Sequence, residues 1–463
     1  MVTSKMQSLA DIRAKVEARE PLSFDDGLRL YESPDIHTLG ELANIVRERL
    51  HGRAAYYNIN RHINYTNYCV LRCKFCSFYR PYQKPSHEAT PASRSTGQRS
   101  HEGQETEHQG TEARRHEGEE IRIGHGDAPG ETSHDGGYEL SIDEIVERAK
   151  DAYEQGATEV HIVGGLHPKL PFDYYLEMCR AIRDACPYMH VKAFTAIEII
   201  HFTRITKPRL SIAEVLTRLR EAGLGSLPGG GAEIFDERVH DEAYKTKVGE
   251  AEWFEVHRTA HELGIFTNAT MLYGHVETRA ERVKHLIKLR EHQAESLRSR
   301  RAHFNCIIPL SFIPDGSALS SLPGPSGVDD LKTLAIARLM CQNIPHIKAF
   351  WIMQTPKLAQ VSLNWGVDDI DGTVVYYDIT KREGAGTTHQ ELSVDNLQRL
   401  IVEAGCVPVE RDTLYRRVIR DPHSWRIEGT DRAIPYRRER GPTEPLAPKS
   451  PRPGSFVELS VGS

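Results

Sequence analysis

Residues 141–165 read "SIDEIVERAKDAYEQGATEVHIVGG", and this stretch holds one complete unit of the fold. Ser141, with Glu144 three residues on, makes a capping box, in which each side chain satisfies an orphan backbone N–H at a helix start. Ile142, Ile145, Val146, Ala149, Ala152 and Tyr153 then share one helical face, and Gly156 supplies the stop. Residues 159–165 follow as a short apolar strand ending in two glycines.

The unit repeats downstream. "HVKAFTAIEI" (190–199), "LGSLP" (224–228), "GIFTNATMLYG" (264–274), "HFNCIIPLSF" (303–312) and "IKAFWIM" (347–353) read as further strands. Helical patterns fill the gaps, from the Ser211/Glu214 capping box to Gly223, then over 251–263, 279–289 and 328–340. Upstream, "AAYYNINRHINY" (54–65) opens the series. Strands alternating with crossover helices predict an α/β fold with parallel strands. The leading architecture is a TIM-type (β/α) barrel, complete or partial. A doubly wound open sheet is the alternative, although the glycine fingerprint of a dinucleotide site is absent after the first strand.

The expected organisation is a helical N-terminal extension over 1–50, a barrel core over 51–380 and a helical and strand C-terminal extension over 381–440. That last segment contains a capped helix at 393–405, and 441–463 is expected to be a flexible tail. Within the core, residues 83–137 carry Ile121 and Ile123 and almost nothing else large and apolar. Such a segment cannot bury enough surface to offset its ordering entropy, so it is expected to be a disordered insertion. Its six histidines are irregularly spaced and match no single ligand set.

With 39% hydrophobic and 27% charged residues and a net charge of -6, the chain reads as a globular protein without a basic nucleic-acid surface. No apolar run is long enough to span a membrane, and the first residues lack a signal-peptide pattern. A cytoplasmic location with reduced thiols is expected, where a cysteine cluster binds metal or does chemistry.

Such a cluster exists in "NYTNYCVLRCKFCSFYRPY" (64–82), with Cys69, Cys73 and Cys76 spaced C-x3-C-x2-C. The strand at 54–65 runs into it, which puts it on a loop after a strand, where barrel enzymes gather their catalytic groups. Three thiolates fit three irons of one [4Fe–4S] cluster and leave the fourth iron open. A structural zinc site needs a fourth ligand, and the nearest histidines, His62 and His87, lie on the strand and in the insertion. Simple packing of buried thiols is the third reading. Cys179, Cys186, Cys306, Cys341 and Cys406 are scattered singly and suggest no second cluster.

The C-x3-C-x2-C motif with Phe75 before its last cysteine resembles the radical S-adenosylmethionine (SAM) superfamily. The phrases "NRHINYTNYCVLRCKFCSFYRPY", "GGLHPKLPFDYYLEM", "KAFTAIEI", "GLGSLPGGGAEIF" and "NATMLYGHVET" together resemble its aminodeoxyfutalosine synthase family. The resemblance implies that SAM chelates the open iron and yields a 5'-deoxyadenosyl radical. In that family the radical adds to the enol ether of 3-[(1-carboxyvinyl)oxy]benzoate and gives 6-amino-6-deoxyfutalosine, a menaquinone precursor. Gly164 and Gly165 resemble the glycine pair that receives the methionine amino group, and Phe75 is expected beside the adenine. Glu198 is expected at the ribose and Glu233, ending "PGGGAE", at the cofactor. Asn268, Tyr273 and His275, at the end of one strand, are the candidate catalytic residues, and His167, Arg61 and Arg80 are weaker candidates. A carboxylate-bearing small molecule is the expected substrate, and a flavodoxin or ferredoxin the expected electron donor. The competing functions are a related radical SAM cyclase, the deazaflavin-synthesis enzyme, and a non-catalytic iron–sulfur or zinc protein.

Overall fold

The computed structural model describes residues 9–82, 136–377, 379 and 389–437. The expected insertion at 83–137, all but its last two residues, and the expected tail at 441–463 lie outside the described residues.

Three helices, α1 (Ala10–Glu17), α2 (Phe24–Glu32) and α3 (Ile36–His51), form the N-terminal segment. The opening strand is bent into two pieces, β1 (Ala54–Asn58) and β2 (Asn60–Ile63). Units of helix and strand follow: α4 (Ile142–Glu154), β3 (Glu159–Ile162), α5 (Phe172–Ala185), β4 (His190–Ala193), α6 (Ala196–Ile205), α7 (Ile212–Ala222) and β5 (Leu224–Ser226). Next come α8 (Glu237–Ala243), α9 (Glu250–Glu262), β6 (Thr267–Tyr273), α10 (Arg279–Ser299), β7 (Phe304–Ser311), α11 (Gly327–Met340) and β8 (His346–Ile347). The remaining elements are α12 (Trp351–Gln354), α13 (Pro356–Ser362), β9 (Asp369–Gly372), β10 (Val374–Tyr376), β11 (His389–Glu391), α14 (Val394–Glu403), β12 (Val407–Glu410), β13 (Val418–Asp421), β14 (Ser424–Ile427) and β15 (Ile434–Pro435).

β2, β3, β4 and β5 pair in parallel in that order, as do β6, β7 and β8. Single parallel bridges join the groups, Leu227 to Thr267 and Lys348 to Asp369, and β9 pairs with β1. The pairing therefore returns to its opening strand, and the sheet is a closed parallel barrel with its helices outside.

Two expected strands are corrected. "HVKAFTAIEI" is strand only over β4, because Thr195 and Glu198 form a capping box that starts α6. "IKAFWIM" is likewise strand only at its start, and α12 takes over at Trp351. The expected core boundary at 380 also moves, since β12 pairs in parallel with β1 from Ala54↔Val407 to Tyr57↔Glu410. Arg411, just beyond it, donates to the Asp369 carboxylate at 2.7 Å. This C-terminal strand belongs to the barrel.

Candidate functional site

A cavity of about 280 Å3 opens at the C-terminal ends of the barrel strands. All three clustered cysteines line it, with Phe75, Gly164, Gly165, Glu198, the glycines 229–231, Glu233 and Asn268. Strand alternation selects the walls: Asn268, Thr270 and Leu272 of β6 face it, as do Ile308 and Leu310 of β7.

The same alternation excludes two expected residues. Tyr273 and His275 are not among the lining residues. Tyr273 lies an odd number of residues from Asn268, so on one strand the two side chains point to opposite faces. Its hydroxyl donates to Asp330 at 2.6 Å and accepts from Gln354 at 3.3 Å, between barrel and helices. His275 sits just past β6 and its Nε2–H donates to the Leu272 carbonyl at 3.0 Å. Burial holds its pKa below the usual value, against the pull of the nearby Glu277 carboxylate.

The cysteine loop is fastened to the strand-end glycines. Gly165 N–H donates to the Thr66 carbonyl at 2.8 Å and Val70 N–H to that of Leu166 at 3.0 Å. A Cβ on Gly165 would lie 2.3 Å from the Tyr68 carbonyl oxygen, and one on Gly164 would lie 2.6 Å from the Tyr65 ring. Close approach of the loop is thus what demands glycine at both positions. Arg80 braces the far side of the loop through the carbonyls of Ser77 (3.0 Å) and Tyr79 (2.9 Å). Arg61 pairs with Asp151 at 2.8 Å, and His167 pairs with Glu139 at 2.8 Å. None of these three lines the cavity.

Burial pushes the thiol of Cys73 up to about 12 and raises those of Cys69 and Cys76. The Cys73 thiol feels the other two electrostatically, yet the three are not a ligand group that gathers within 4.8 Å among the described residues. Sulfurs around one tetrahedral zinc lie about 3.8 Å apart, so this looser triangle suits a multi-iron cluster better than a single ion. The all-sulfur donor set, in a cavity with apolar walls, fits the cluster.

The other acidic candidates are held by the protein. Glu198 accepts from Tyr65 OH (2.7 Å) and Gly164 N–H (3.2 Å) on one oxygen, and from Thr195 N–H (2.6 Å) and Oγ1 (2.8 Å) on the other. Burial raises its pKa to about 7. It locks the start of α6 to the glycine end of β3. Glu233 adopts a left-handed φ of 43° and pairs with Lys247. Lys247 also lies 5.2 Å above the Phe75 ring, and against the cost of burial Glu233 and then the Cys73 thiol raise its pKa. The Asn268 amide makes no hydrogen bond to another described residue.

Sequence reading missed a polar layer deeper in the barrel, made by His62, His161, Lys192, Lys348 and Asp371, all of which line the same cavity. A signal was present: "HVKAF" (190–194) and "HIKAF" (346–350) each place a lysine among apolar residues, within β4 and just past β8.

Comparison with known proteins agrees with this arrangement. The Radical SAM superfamily model matches residues 63–289, and that of the CofH/MqnC C-terminal region matches 302–423. The chain is 43% identical over 89% of its length to aminodeoxyfutalosine synthase of Thermus thermophilus, covering 96% of that protein. It is 37% identical to the enzyme of that name from Streptomyces coelicolor, over 93% of this chain and 96% of that one. A 5-amino-6-(D-ribitylamino)uracil–L-tyrosine 4-hydroxyphenyl transferase of Archaeoglobus fulgidus is 35% identical over 81% of this chain and 92% of that one. Among solved structures, methylornithine synthase superposes with a TM-score of 0.60 at 15% identity, over 86% of this chain and 97% of that one. The FeFe-hydrogenase maturase HydG from Carboxydothermus hydrogenoformans gives 0.59 at 16% identity, over 88% and 80%. Motif, barrel and full-length likeness lead to one assignment: the chain belongs to the radical SAM superfamily and, within it, to the aminodeoxyfutalosine synthase family.

Proposed function

We propose that this protein joins the 5'-deoxyadenosyl group of SAM to 3-[(1-carboxyvinyl)oxy]benzoate, with release of methionine and loss of the enol ether carboxylate as bicarbonate, giving 6-amino-6-deoxyfutalosine for menaquinone biosynthesis. The observation that carries the reading is the 43% identity to aminodeoxyfutalosine synthase across 89% of the chain, with the three cysteines together at one cavity. A [4Fe–4S] cluster held by these cysteines would supply the single electron that cleaves SAM into methionine and a 5'-deoxyadenosyl radical able to add to the enol ether.

The chain's own residues supply position and environment. Cys69, Cys73 and Cys76 would hold three irons and leave the fourth open to SAM. Gly164 and Gly165 bring backbone to the cavity edge with no side chain in the way. Glu198 keeps that edge in register through Tyr65 and Thr195. Phe75, under the Lys247 ammonium, offers an aromatic face beside the cluster loop. Asn268 points an amide into the cavity, while Tyr273 and His275 support the wall from behind, through Asp330 and the Leu272 carbonyl. Val163, Leu272, Leu310 and Phe312 line the space with apolar surface and exclude water from a reactive radical. A flavodoxin or ferredoxin is the proposed electron donor.

The test is the mass of the product formed by anaerobically reconstituted, reduced protein from SAM and the enol ether. An adenosine adduct with the expected mass supports the reading. Free 5'-deoxyadenosine without an adduct overturns it.

A further inference from the structure

The interior of a parallel barrel is ordinarily filled by layers of branched apolar side chains. One layer here is polar. His62 on β2, His161 on β3 and Lys192 on β4 stand in register, His62↔His161 and His161↔Lys192. Lys348, after β8, completes the layer with Asp371, whose φ of 65° bends β9 at that point. The lysines have one carboxylate partner each, Lys192 with Glu159 at 2.6 Å and Lys348 with Asp371 at 2.8 Å.

The histidines are different. His62 is only 3% exposed, and neither of its ring nitrogens has a hydrogen-bond partner in the protein. The His161 ring packs 4.4 Å from it and also bonds to no described residue. An unpaired buried polar group is costly, so the orphaned His62 nitrogens, packed against the half-buried His161 ring in the cavity wall, mark a place where a ligand supplies the partner. Each lysine also keeps N–H groups beyond the one facing its carboxylate. Lysine N–H groups are therefore left over in this layer, and the ligand group that matches them is an anion with several acceptor oxygens.

His161 lies three residues below Gly164 along the strand, about 10 Å at 3.3 Å per residue. The space between is walled by Val163, Leu272 and Phe350, which suits an aromatic ring. We infer that this layer is the subsite for the aromatic carboxylate of the substrate, with His62 and His161 donating to its oxygens beside the Lys192 and Lys348 ammonium groups. The inference rests on the proposed synthase reading for the identity of the substrate. In that substrate the enol ether carboxylate stays at the reacting end near the cysteines, and the ring carboxylate points down to the layer.

The experiment compares 3-methoxybenzoate with 3-methoxybenzamide by titration calorimetry on the reconstituted full-length protein, wild type and the His161→Gln and His62→Gln variants. Neither substitution strands a buried charge. Charge-assisted hydrogen bonds of this kind predict that wild type binds the acid roughly 10- to 100-fold more tightly than the amide. Either glutamine variant should lower that ratio at least about 5-fold and leave amide affinity unchanged. An acid that binds no more tightly than the amide, including no measurable binding of either, overturns the subsite. So does a preference that both folded variants retain. The two readings fail separately. If wild type makes no adduct from the enol ether while the acid preference holds and responds to His161, the synthase reading falls alone. If the adduct forms and acid and amide bind alike, the subsite falls alone.

Discussion

Lys247→Met removes the one hydrogen-bond donor that the Glu233 carboxylate has among the described residues. Both side chains are nearly buried, 11% exposed for the lysine and 7% for the glutamate. Stranding one member of a buried pair costs about 3–5 kcal/mol, because the remaining charge keeps its desolvation penalty and loses its partner. Glu233→Gln strands the ammonium instead and should cost a similar amount. The double variant strands neither charge and should fall within about 1 kcal/mol of wild type, which makes the coupling energy several kcal/mol. Urea unfolding of metal-free protein, kept anaerobic with a thiol reductant, measures this as midpoint shifts at constant slope. Single variants within about 1 kcal/mol of wild type, or a double variant whose loss equals the sum of the singles, would refute the pairing argument.

Cys73→Ala should abolish iron uptake and the visible charge-transfer absorption on reconstitution, while metal-free stability changes by only about 1–2 kcal/mol. A large loss of folding would point to a structural metal instead. Gly165→Ala drives a Cβ into the Tyr68 carbonyl, so it should cost about 1–3 kcal/mol and impair cluster assembly through a displaced loop, read as iron content per chain. Tyr273→Phe removes a hydroxyl from Asp330 and Gln354, lowering stability by about 1–2 kcal/mol and leaving kcat within a few-fold. A hundredfold loss of kcat at unchanged stability would return Tyr273 to the catalytic residues. Burial lowers the pKa of His62, His190 and His292 to about 4. Unfolded histidines protonate near 6.5, so between that pH and about 4 the unfolded chain binds more protons and stability falls with acidification. The loss should be about 1–2 kcal/mol per histidine between pH 7 and 5, followed by denaturation at each pH.

Sequence periodicity located the barrel because each helix carries its own start signal and each strand its own apolar run. The two misread strands failed for a local reason. Thr195–Ala196–Ile197–Glu198 has the same capping-box pattern as the helix start at Ser141, but its apolar residues extend the strand pattern without a break. The cysteines were legible because their chemistry is compressed into a few residues. Asn268 and Tyr273 could not both have faced the cavity, and counting along the strand separates them before any coordinates exist. Glu198 and Glu233 were placed in the cavity lining, but their partners, Tyr65 and Lys247, are set by tertiary contact and leave no local trace. The polar layer is intermediate: each lysine is conspicuous among apolar residues, whereas the histidines become neighbours only when β2 and β3 pair.

The pairing of β1 with β12 also bears on how the chain matures. The first barrel strand is made early in synthesis, and its neighbour Val407–Glu410 emerges some 350 residues later. Contacts so distant in sequence carry a loop-closure cost before they give any stability, and they form late. During translation the strand edge of β1 therefore stays uncovered while the cysteine loop beyond it is already outside the ribosome. A nascent chain in this state exposes an open strand edge, prone to pairing with other chains, until its last barrel strand arrives.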